Sequence, residues 1–233
     1  MVAPPPAGPR IVTGDGGRQI DVARDAVLGR IRHALRGVPD DQRGGHDAVE
    51  REYRRGDRTA VAGRLDLLAE RLEDYRATVH RCAPDDIAAT AAEICAANAA
   101  TSLVVPVDVP DQWRPSQVLV IDDNGQFAAE LDQIDGVLTG CAVAIAETGT
   151  IVLDGGATQG RRSLTLVPDL HICVVRADQI EMLVPDAVER LTGAVAAARP
   201  LTFISGPSAT SDIELSRVEG VHGPRHLHVL LIG

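Results

Sequence analysis

The chain has 233 residues and a formal net charge of −10, and it contains only five aromatic side chains. All 23 basic residues are Arg, which excludes Schiff-base chemistry and the Lys-dependent phosphate loop. The negative charge and the shortage of aromatic rings argue against nucleic-acid binding, and the length allows one or two domains.

The N-terminal quarter is predicted to lie outside the main domain. Residues 1–18 are rich in Pro and Gly, which predicts a disordered tail. Residues 19–58 are predicted to hold one helix, beginning near Ile20, and a charged linker from Val38 onward. The first residues lack the apolar core of a signal peptide, and no apolar run is long enough to span a membrane. We therefore expect a soluble cytoplasmic protein without a membrane span.

Residues 59–233 alternate between helical and strand-like patterns. The clearest helical pattern runs from Val61 to Val79, where apolar residues lie three and four apart. Pro84 predicts the start of a second helix, and the spacing from Val184 to Val195 predicts a later one. Short apolar runs predict strands at 103–105, 117–121, 170–175, 201–204 and 226–232, and those at 170–175 and 201–204 are expected to be buried. This alternation is typical of an α/β fold with a largely parallel sheet flanked by helices.

The pattern changes at residue 137. Two apolar runs, 137–146 and 151–153, surround Glu147-Thr148-Gly149-Thr150. This arrangement predicts a hairpin or sharp bend that contains Gly149. A glycine-rich loop is predicted from Asp154 to Gly160.

The four cysteines lie in or beside apolar segments and are predicted to be small core residues in a reducing compartment. They are Cys82, Cys95, Cys141 and Cys173. No two have the C-x-x-C spacing of an iron–sulfur or zinc framework, so we expect no cofactor to be bound by this chain.

The segment from Ser205 to Glu214 is predicted to join the end of a strand, a tight turn and a helix N-terminus. Ser211 and Glu214 have the spacing of a capping box. Backbone N–H groups at such a place can bind an anion. The simpler interpretation, that the hydroxyls only cap a helix and close a turn, stays open. The ligand-binding candidates of this segment are Ser205, Gly206, Pro207, Ser208, Thr210 and Asp212.

Three polar turns, 147–150, 205–214 and 221–225, are each expected to follow a buried strand. Ligands of open α/β sheets bind outside the carboxyl ends of the strands, so we expect the turns to line one cleft. Glu147 is the only carboxylate in a long apolar stretch, and partial burial would make it a candidate nucleophile or general base. Otherwise it is a strand-end residue that pairs with an Arg or a backbone amide. The other candidates of the first turn are Thr148, Gly149 and Thr150.

Basic and imidazole side chains could complete the cleft. Arg161 and Arg162 could clamp a carboxylate or phosphate, although adjacent arginines commonly form a solvated loop. His222, beside Gly223 in the third turn, is a candidate hydrogen-bond donor or acid/base group. The two histidines at 226 and 228 share one face of a strand, but no Cys or suitably spaced carboxylate accompanies them, so no metal site is predicted.

Four ordered motifs resemble those of the lactate utilization protein C family, which contains the LUD domain. They are Ala-Glu-Thr-Gly-Thr-Ile-Val-Leu at 146–153, Gly-Arg-Arg with Leu-Val-Pro-Asp-Leu-His at 160–171, Ser-Gly-Pro-Ser-x-Thr-x-Asp-Ile-Glu at 205–214 and Gly-Val-His-Gly-Pro at 220–224. The resemblance implies the fold shared by sugar-phosphate isomerases and CoA transferases. It also implies a role in oxidising L-lactate to pyruvate with iron–sulfur partner proteins, which would hold the redox centres.

Three hypotheses about function remain open. The leading one is a subunit or accessory protein of an L-lactate oxidation system that binds a small carboxylate or phosphorylated ligand. The second is an acyl- or CoA-transferase-like enzyme, because Glu147-Thr148-Gly149 resembles the strand-end motif that carries the nucleophilic Glu of CoA transferases. The third is a purely structural scaffold. Whether the chain catalyses a reaction of its own stays open.

Overall fold

The structure is a computed structural model that describes residues 16–37, 50–56, 61–207, 209–210, 218–219 and 223–233. It divides into two units, Met1–Glu52 and Tyr53–Gly233. The first unit contains helix α1 (Gly16–Ala34), which ends in a short 3₁₀ turn. Helix α1 begins earlier than the predicted Ile20 and includes the last residues of the predicted tail.

The second unit contains helices and strands in alternation, as the sequence predicted. Its described helices are α2 (Val61–Asp74), α3 (Ile87–Ala97), α4 (Ala128–Leu131), α5 (Val184–Arg190) and α6 (Thr192–Ala196). Its described strands are β1 (Thr78–Cys82), β2 (Ser102–Val105), β3 (Leu119–Asp122), β4 (Gly136–Thr139), β5 (Val143–Ile145), β6 (Thr150–Leu153), β7 (Leu170–Arg176), β8 (Ile180–Glu181), β9 (Thr202–Ile204), β10 (Ala209–Thr210), β11 (Val218–Glu219) and β12 (His226–Ile232).

Six strands form the central sheet in the order β1-β12-β7-β4-β2-β3. Every neighbouring pair in this sheet is parallel. The predicted α/β fold with a largely parallel sheet flanked by helices is therefore confirmed. Strands β2 and β7 are buried almost throughout, as expected for parallel strands covered on both faces.

The prediction that one helical pattern continues to Val79 is wrong, because Val79 lies in β1. Helix α2 ends at Asp74, and Arg76 takes a left-handed conformation with φ of +68°. The N–H of Ala77 bonds the Leu72 carbonyl at 2.9 Å, and the N–H of Arg76 bonds the Glu73 carbonyl at 2.8 Å. This pair of bonds is a Schellman ending, which turns the chain into the strand although the apolar spacing continues.

A second sheet of four strands, in the order β8-β5-β6-β9, was not predicted. Strands β5 and β6 form the predicted hairpin, in which Gly149 has φ of +58°. The apolar run at 137–146 is two strands in different sheets, because the chain crosses between them after β4. Strand β9 pairs antiparallel with β6, and it is only half-buried instead of buried as expected.

Both faces of the six-stranded sheet are covered. Helix α3 covers one face of the six-stranded sheet, where Ile94 packs with Leu103 and Ile172. Helix α2 and the four-stranded sheet cover the other face, where Leu68 and Ile151 join one cluster. Helices α5 and α6 lie where one helix was predicted from Val184 to Val195. Of its predicted apolar face, Leu191 is buried between the two helices, whereas Val184, Val188 and Val195 are exposed. The buried residues within the helices are Ala187 and Ala194.

The cysteines are core residues, as predicted: Cys95, Cys141 and Cys173 are buried, Cys82 is partly buried, and all four are free thiols. Within the ranges that the structure describes, no helix combines the length and apolar character needed to cross a membrane.

Candidate functional site

The second and third polar turns line one cavity of about 240 Å³. Ser205, Gly206 and Pro207 form one side of it, and Gly223 with the following proline forms another. These turns lie at positions 205–207 and 223–224, far apart in sequence. The expectation that they converge is therefore confirmed for the described parts of both turns.

The cavity lies at the amino ends of the parallel strands, whereas the carboxyl ends were expected. His171 is the second residue of β7, Leu227 is the second residue of β12, and both contribute to the cavity wall. The expectation failed because β9 belongs to the four-stranded sheet. The end of β9 brings Ser205 over the beginnings of β7 and β12, so the cavity lies between the two sheets.

A glycine contact and a row of hydroxyl groups hold the Ser205 turn. Gly206 has φ of +91°, and a Cβ atom placed there would lie 2.4 Å from the Tyr75 carbonyl oxygen. The Ser205 and Thr150 hydroxyl oxygens are 2.8 Å apart, and those of Thr150 and Thr148 are also 2.8 Å apart. The first turn is thus joined to the cavity through Thr150 and not through its glutamate.

Glu147 lies on the surface, so the expectation of partial burial is wrong. Its carboxylate pairs with Arg54 and does not contribute to the wall of the cavity. Its N–H donates to the Met182 carbonyl at 3.1 Å. The simpler interpretation, a strand-end residue paired with an Arg, is confirmed.

Arg161 stabilises the loop that precedes β7. Its Nε lies 3.0 Å from both carboxylate oxygens of Asp123. Its Nη1 donates to the Ser163 hydroxyl at 2.7 Å, and its Nη2 donates to the Gln126 carbonyl at 2.7 Å. Because every edge of this guanidinium has a protein partner, Arg161 contributes mainly to the structure of the loop.

Arg162 has a different environment and is the one basic side chain among the described residues that line the cavity, apart from the imidazole of His171. Its Nη1 donates to the carbonyl and the hydroxyl oxygens of Thr165, at 2.8 and 3.1 Å. Among the described residues Arg162 has no carboxylate partner, and its Nε and Nη2 make no hydrogen bond to them. Partial burial lowers the pKa of Arg162 because it removes water from the charged group. An anion at the free edge of this guanidinium would restore the lost solvation.

His171 was missed by the sequence reasoning, which treated it as part of a buried strand. Its side chain is 1% exposed and contributes to the cavity wall, and its Nε2 lies 2.8 Å from the Thr139 hydroxyl oxygen. Hydrogen bonds from Cys141 and His171 lower the pKa of the fully buried Cys173 thiol. The sequence feature that could have indicated His171 was its position in the 160–171 motif, which contains the arginine pair and ends at the start of a strand.

The LUD domain family model matches residues 65–232. The chain belongs to the LUD domain family. Over 72% of its length it is 50% identical to lactate utilization protein C of Deinococcus radiodurans, and the match covers 79% of that protein. Lactate utilization protein C of Shouchella clausii is 34% identical over 48% of this chain, and this match spans half of that relative.

A crystal structure of a DUF162 family protein from Deinococcus radiodurans has a TM-score of 0.65 and 40% sequence identity to this chain. The match covers 75% of this chain and 99% of that chain. The family resemblance predicted from the four motifs is therefore confirmed. All of the cavity residues named above lie inside the matched LUD domain.

Three candidate residues of the LUD domain lie outside the described residues: Ser208, Asp212 and His222. The helix predicted to start at Ser211 lies outside them as well. Thr210 is described only as part of the short β10–β11 pair. The roles of these residues stay predictions.

The two histidines of β12 do not contribute to the wall of the cavity. His228 stacks on His80 with ring centroids 5.3 Å apart, and it contacts Asn98 at 3.2 Å. His226 is exposed at the start of the strand. The described part of the chain contains no group of three or more His, Cys, Asp or Glu side chains suited to a metal ion.

Proposed function

We propose that the chain acts in lactate utilization as a subunit or accessory protein that binds a small carboxylate or phosphorylated ligand at Arg162. The relatives named lactate utilization protein C support the pathway. The observation that supports the ligand is the guanidinium of Arg162, which lines a cavity and keeps its Nε and Nη2 edge free of described protein partners.

The chemistry of the wall favours an anion that presents two oxygens to the arginine. A guanidinium presents N–H groups in a fork that matches the two oxygens of a carboxylate or phosphate. The hydroxyl of Ser205 and the imidazole of His171 are further polar groups in the same wall. A 2-hydroxy acid such as lactate carries both a carboxylate and a hydroxyl group, so it can use the arginine and one of these neighbours together.

Calorimetric titration with lactate, pyruvate and inorganic phosphate tests the anion site. Arg162→Gln should weaken binding about 10- to 100-fold, because a hydrogen bond to a charged group contributes about 1.5–3 kcal/mol. Arg162→Lys should restore only part of the affinity, since a lysine lacks the fork. The control is Arg176→Gln, which removes an exposed arginine paired with Asp178. Equal affinity in the wild type and Arg162→Gln would contradict the proposal.

Iron–sulfur proteins of the lactate oxidation system are the proposed partners. The buried cysteines lie in two core clusters, and among the described residues no group of three or more His, Cys, Asp or Glu side chains is suited to a metal ion. Its free thiols fit the reducing cytoplasm, where we place the complex. Co-purification of the full chain from cells grown on lactate, followed by iron analysis, should recover iron in stoichiometric amounts. Recovery of the chain without any iron-containing partner would contradict this part of the proposal.

The transferase hypothesis depends on Glu147. The geometry does not favour it, because the Glu147 carboxylate is exposed and paired with Arg54. Glu147→Gln separates the two hypotheses, since it keeps the size of the side chain and removes the nucleophile. Under our proposal this variant supports growth on lactate as well as the wild type does. Loss of growth with normal folding and partner binding would favour the transferase.

A further inference from the structure

We propose that the site takes an elongated organic anion, whose carboxylate or phosphate binds Arg162 and whose uncharged chain extends into a second cavity. This inference rests on the proposed function, because it uses the same arginine. It adds the shape and the apolar character of the ligand.

The second cavity adjoins the first. It has a volume of about 350 Å³, and three of its wall residues, Arg162, Thr165 and Thr202, also belong to the wall of the first cavity. Arg162, whose guanidinium has free donors, therefore lies at the boundary of the two cavities. A ligand whose charged end is held there can extend to either side.

The volumes exceed what a three-carbon acid needs. Lactate has about six non-hydrogen atoms, and at ~30 Å³ for each water-sized group it fills less than ~180 Å³. The first cavity alone, at about 240 Å³, can hold such a molecule. Together the two cavities fall in the range of about 300–1,000 Å³ that is typical of sites for larger ligands. The second space is thus available for the rest of a longer molecule.

The wall of the second cavity favours an uncharged chain. Leu153 and Pro200 provide apolar surface, and Gly155 and Gly160 contribute backbone without side chains. The one other charged residue in this wall, within the described chain, is Arg161, whose guanidinium already bonds Asp123, Ser163 and Gln126. Apolar contacts, and not a second ion pair, would therefore provide the affinity for the extension.

A homologous series of ligands tests the extension. The carboxylate arm uses lactate and the 2-hydroxy acids of four, five and six carbons, and the phosphate arm uses methyl, butyl and hexyl phosphate. Each added methylene should raise the affinity about fourfold as it leaves water, so the six-carbon acid, with three more methylenes, should bind about 60-fold more tightly than lactate. If the affinity rises with chain length in one arm alone, that arm identifies the charged group that the site accepts.

Pro200→Phe is the blocking variant, because Pro200 contributes to the wall of the second cavity and not to the first. The added ring should reduce the ratio of affinities between the longest and shortest ligand to nearly one. Val195→Phe is the matched control, since Val195 is 59% exposed on α6 and is not part of either wall. This control should keep the full dependence on chain length.

The outcomes separate this inference from the proposed function. If the affinity of the wild type does not rise with chain length, while lactate or phosphate binding still depends on Arg162, the proposal of an elongated ligand is wrong and the anion site stands. Persistence of the chain-length gain in Pro200→Phe also overturns it, because the chain would then lie elsewhere. Absence of binding by every ligand of both arms overturns the proposed function and this inference together.

Discussion

A glycine holds the turn at the wall of the cavity, and Gly206→Ala tests how strongly that contact constrains the turn. Gly206 has φ of +91°, and an added Cβ would lie 2.4 Å from the carbonyl oxygen of Tyr75, at the end of helix α2. Gly125 is a matched control, because its φ is +85° and an added Cβ would meet no atom within 4 Å. The two alanine variants share the backbone strain and differ in the contact.

The magnitude follows from two contributions. An alanine in the left-handed region costs about 1–2 kcal/mol. The contact at Gly206 adds about 1–3 kcal/mol of overpacking, because a backbone carbonyl cannot rotate away as a side chain can. We therefore expect Gly125→Ala to lower the free energy of unfolding by about 1–2 kcal/mol and Gly206→Ala to lower it by about 2–5 kcal/mol. Each kcal/mol lowers the Tm by about 2–4 °C in a chain of this size.

Urea denaturation followed by circular dichroism measures these free energies. Gly193→Ala is a second control, because Gly193 lies in α6 with open space around it, and alanine should stabilise it by up to about 1 kcal/mol. The folded Gly206→Ala variant should also bind lactate or phosphate more weakly, since the Ser205 turn must shift. Equal losses of stability in Gly206→Ala and Gly125→Ala would refute the reasoning, because the contact with Tyr75 would then not constrain the turn.

Four variants test other parts of the structure. Burial and two neighbouring histidines lower the pKa of His228 to about 4, whereas an unfolded imidazole has a pKa near ~6.5. Neutral His228 therefore contributes its full stability to the fold above pH ~6.5, and this contribution is lost as the pH falls toward ~4. Because the side chain is partly exposed, we expect a loss of about 1–2 kcal/mol, and His228→Asn should flatten this part of a pH series of urea denaturations. Glu147→Gln should change the free energy of unfolding by less than about 1 kcal/mol in the same assay, since its ion pair is exposed; a larger loss would mean that the hairpin depends on the pair. Arg161→Gln should lower the free energy of unfolding by about 1–3 kcal/mol, because it leaves a mostly buried carboxylate without its partner, whereas Arg162→Gln should change it by less than about 1 kcal/mol. The opposite order would contradict the roles assigned to the two arginines.

The strands that the sequence predicted best are those buried on both faces. Strands β2, β7 and β12 are nearly continuous apolar runs, because helices and the second sheet cover the parallel sheet. Strand β1 was missed because it is an edge strand with alternating polar residues, and because Val79 continued the apolar spacing of α2. Local spacing alone does not show where a left-handed residue such as Arg76 ends a helix.

The candidate site was predicted in part. The Ser205-Gly206-Pro207 turn was recognised from its glycine and hydroxyl residues, and its meeting with the third turn is confirmed. The two adjacent arginines could not be distinguished from sequence, because they have the same chemistry and almost the same position. Their roles differ because Asp123, from the loop after β3, approaches only Arg161.

The amino-acid sequence by itself determined the LUD family, the α/β class and the positions of the polar turns, because these depend on local composition and on the order of motifs along the chain. The tertiary structure alone decided that the cavity lies at the amino ends of β7 and β12, that His171 belongs to its wall and that Glu147 lies outside it. The physical reason is the pairing of β9 with β6, which are about 50 residues apart and form hydrogen bonds that local preferences do not specify. That pairing adds β9 to the second sheet, and the space between the two sheets is where the free edge of Arg162 lies.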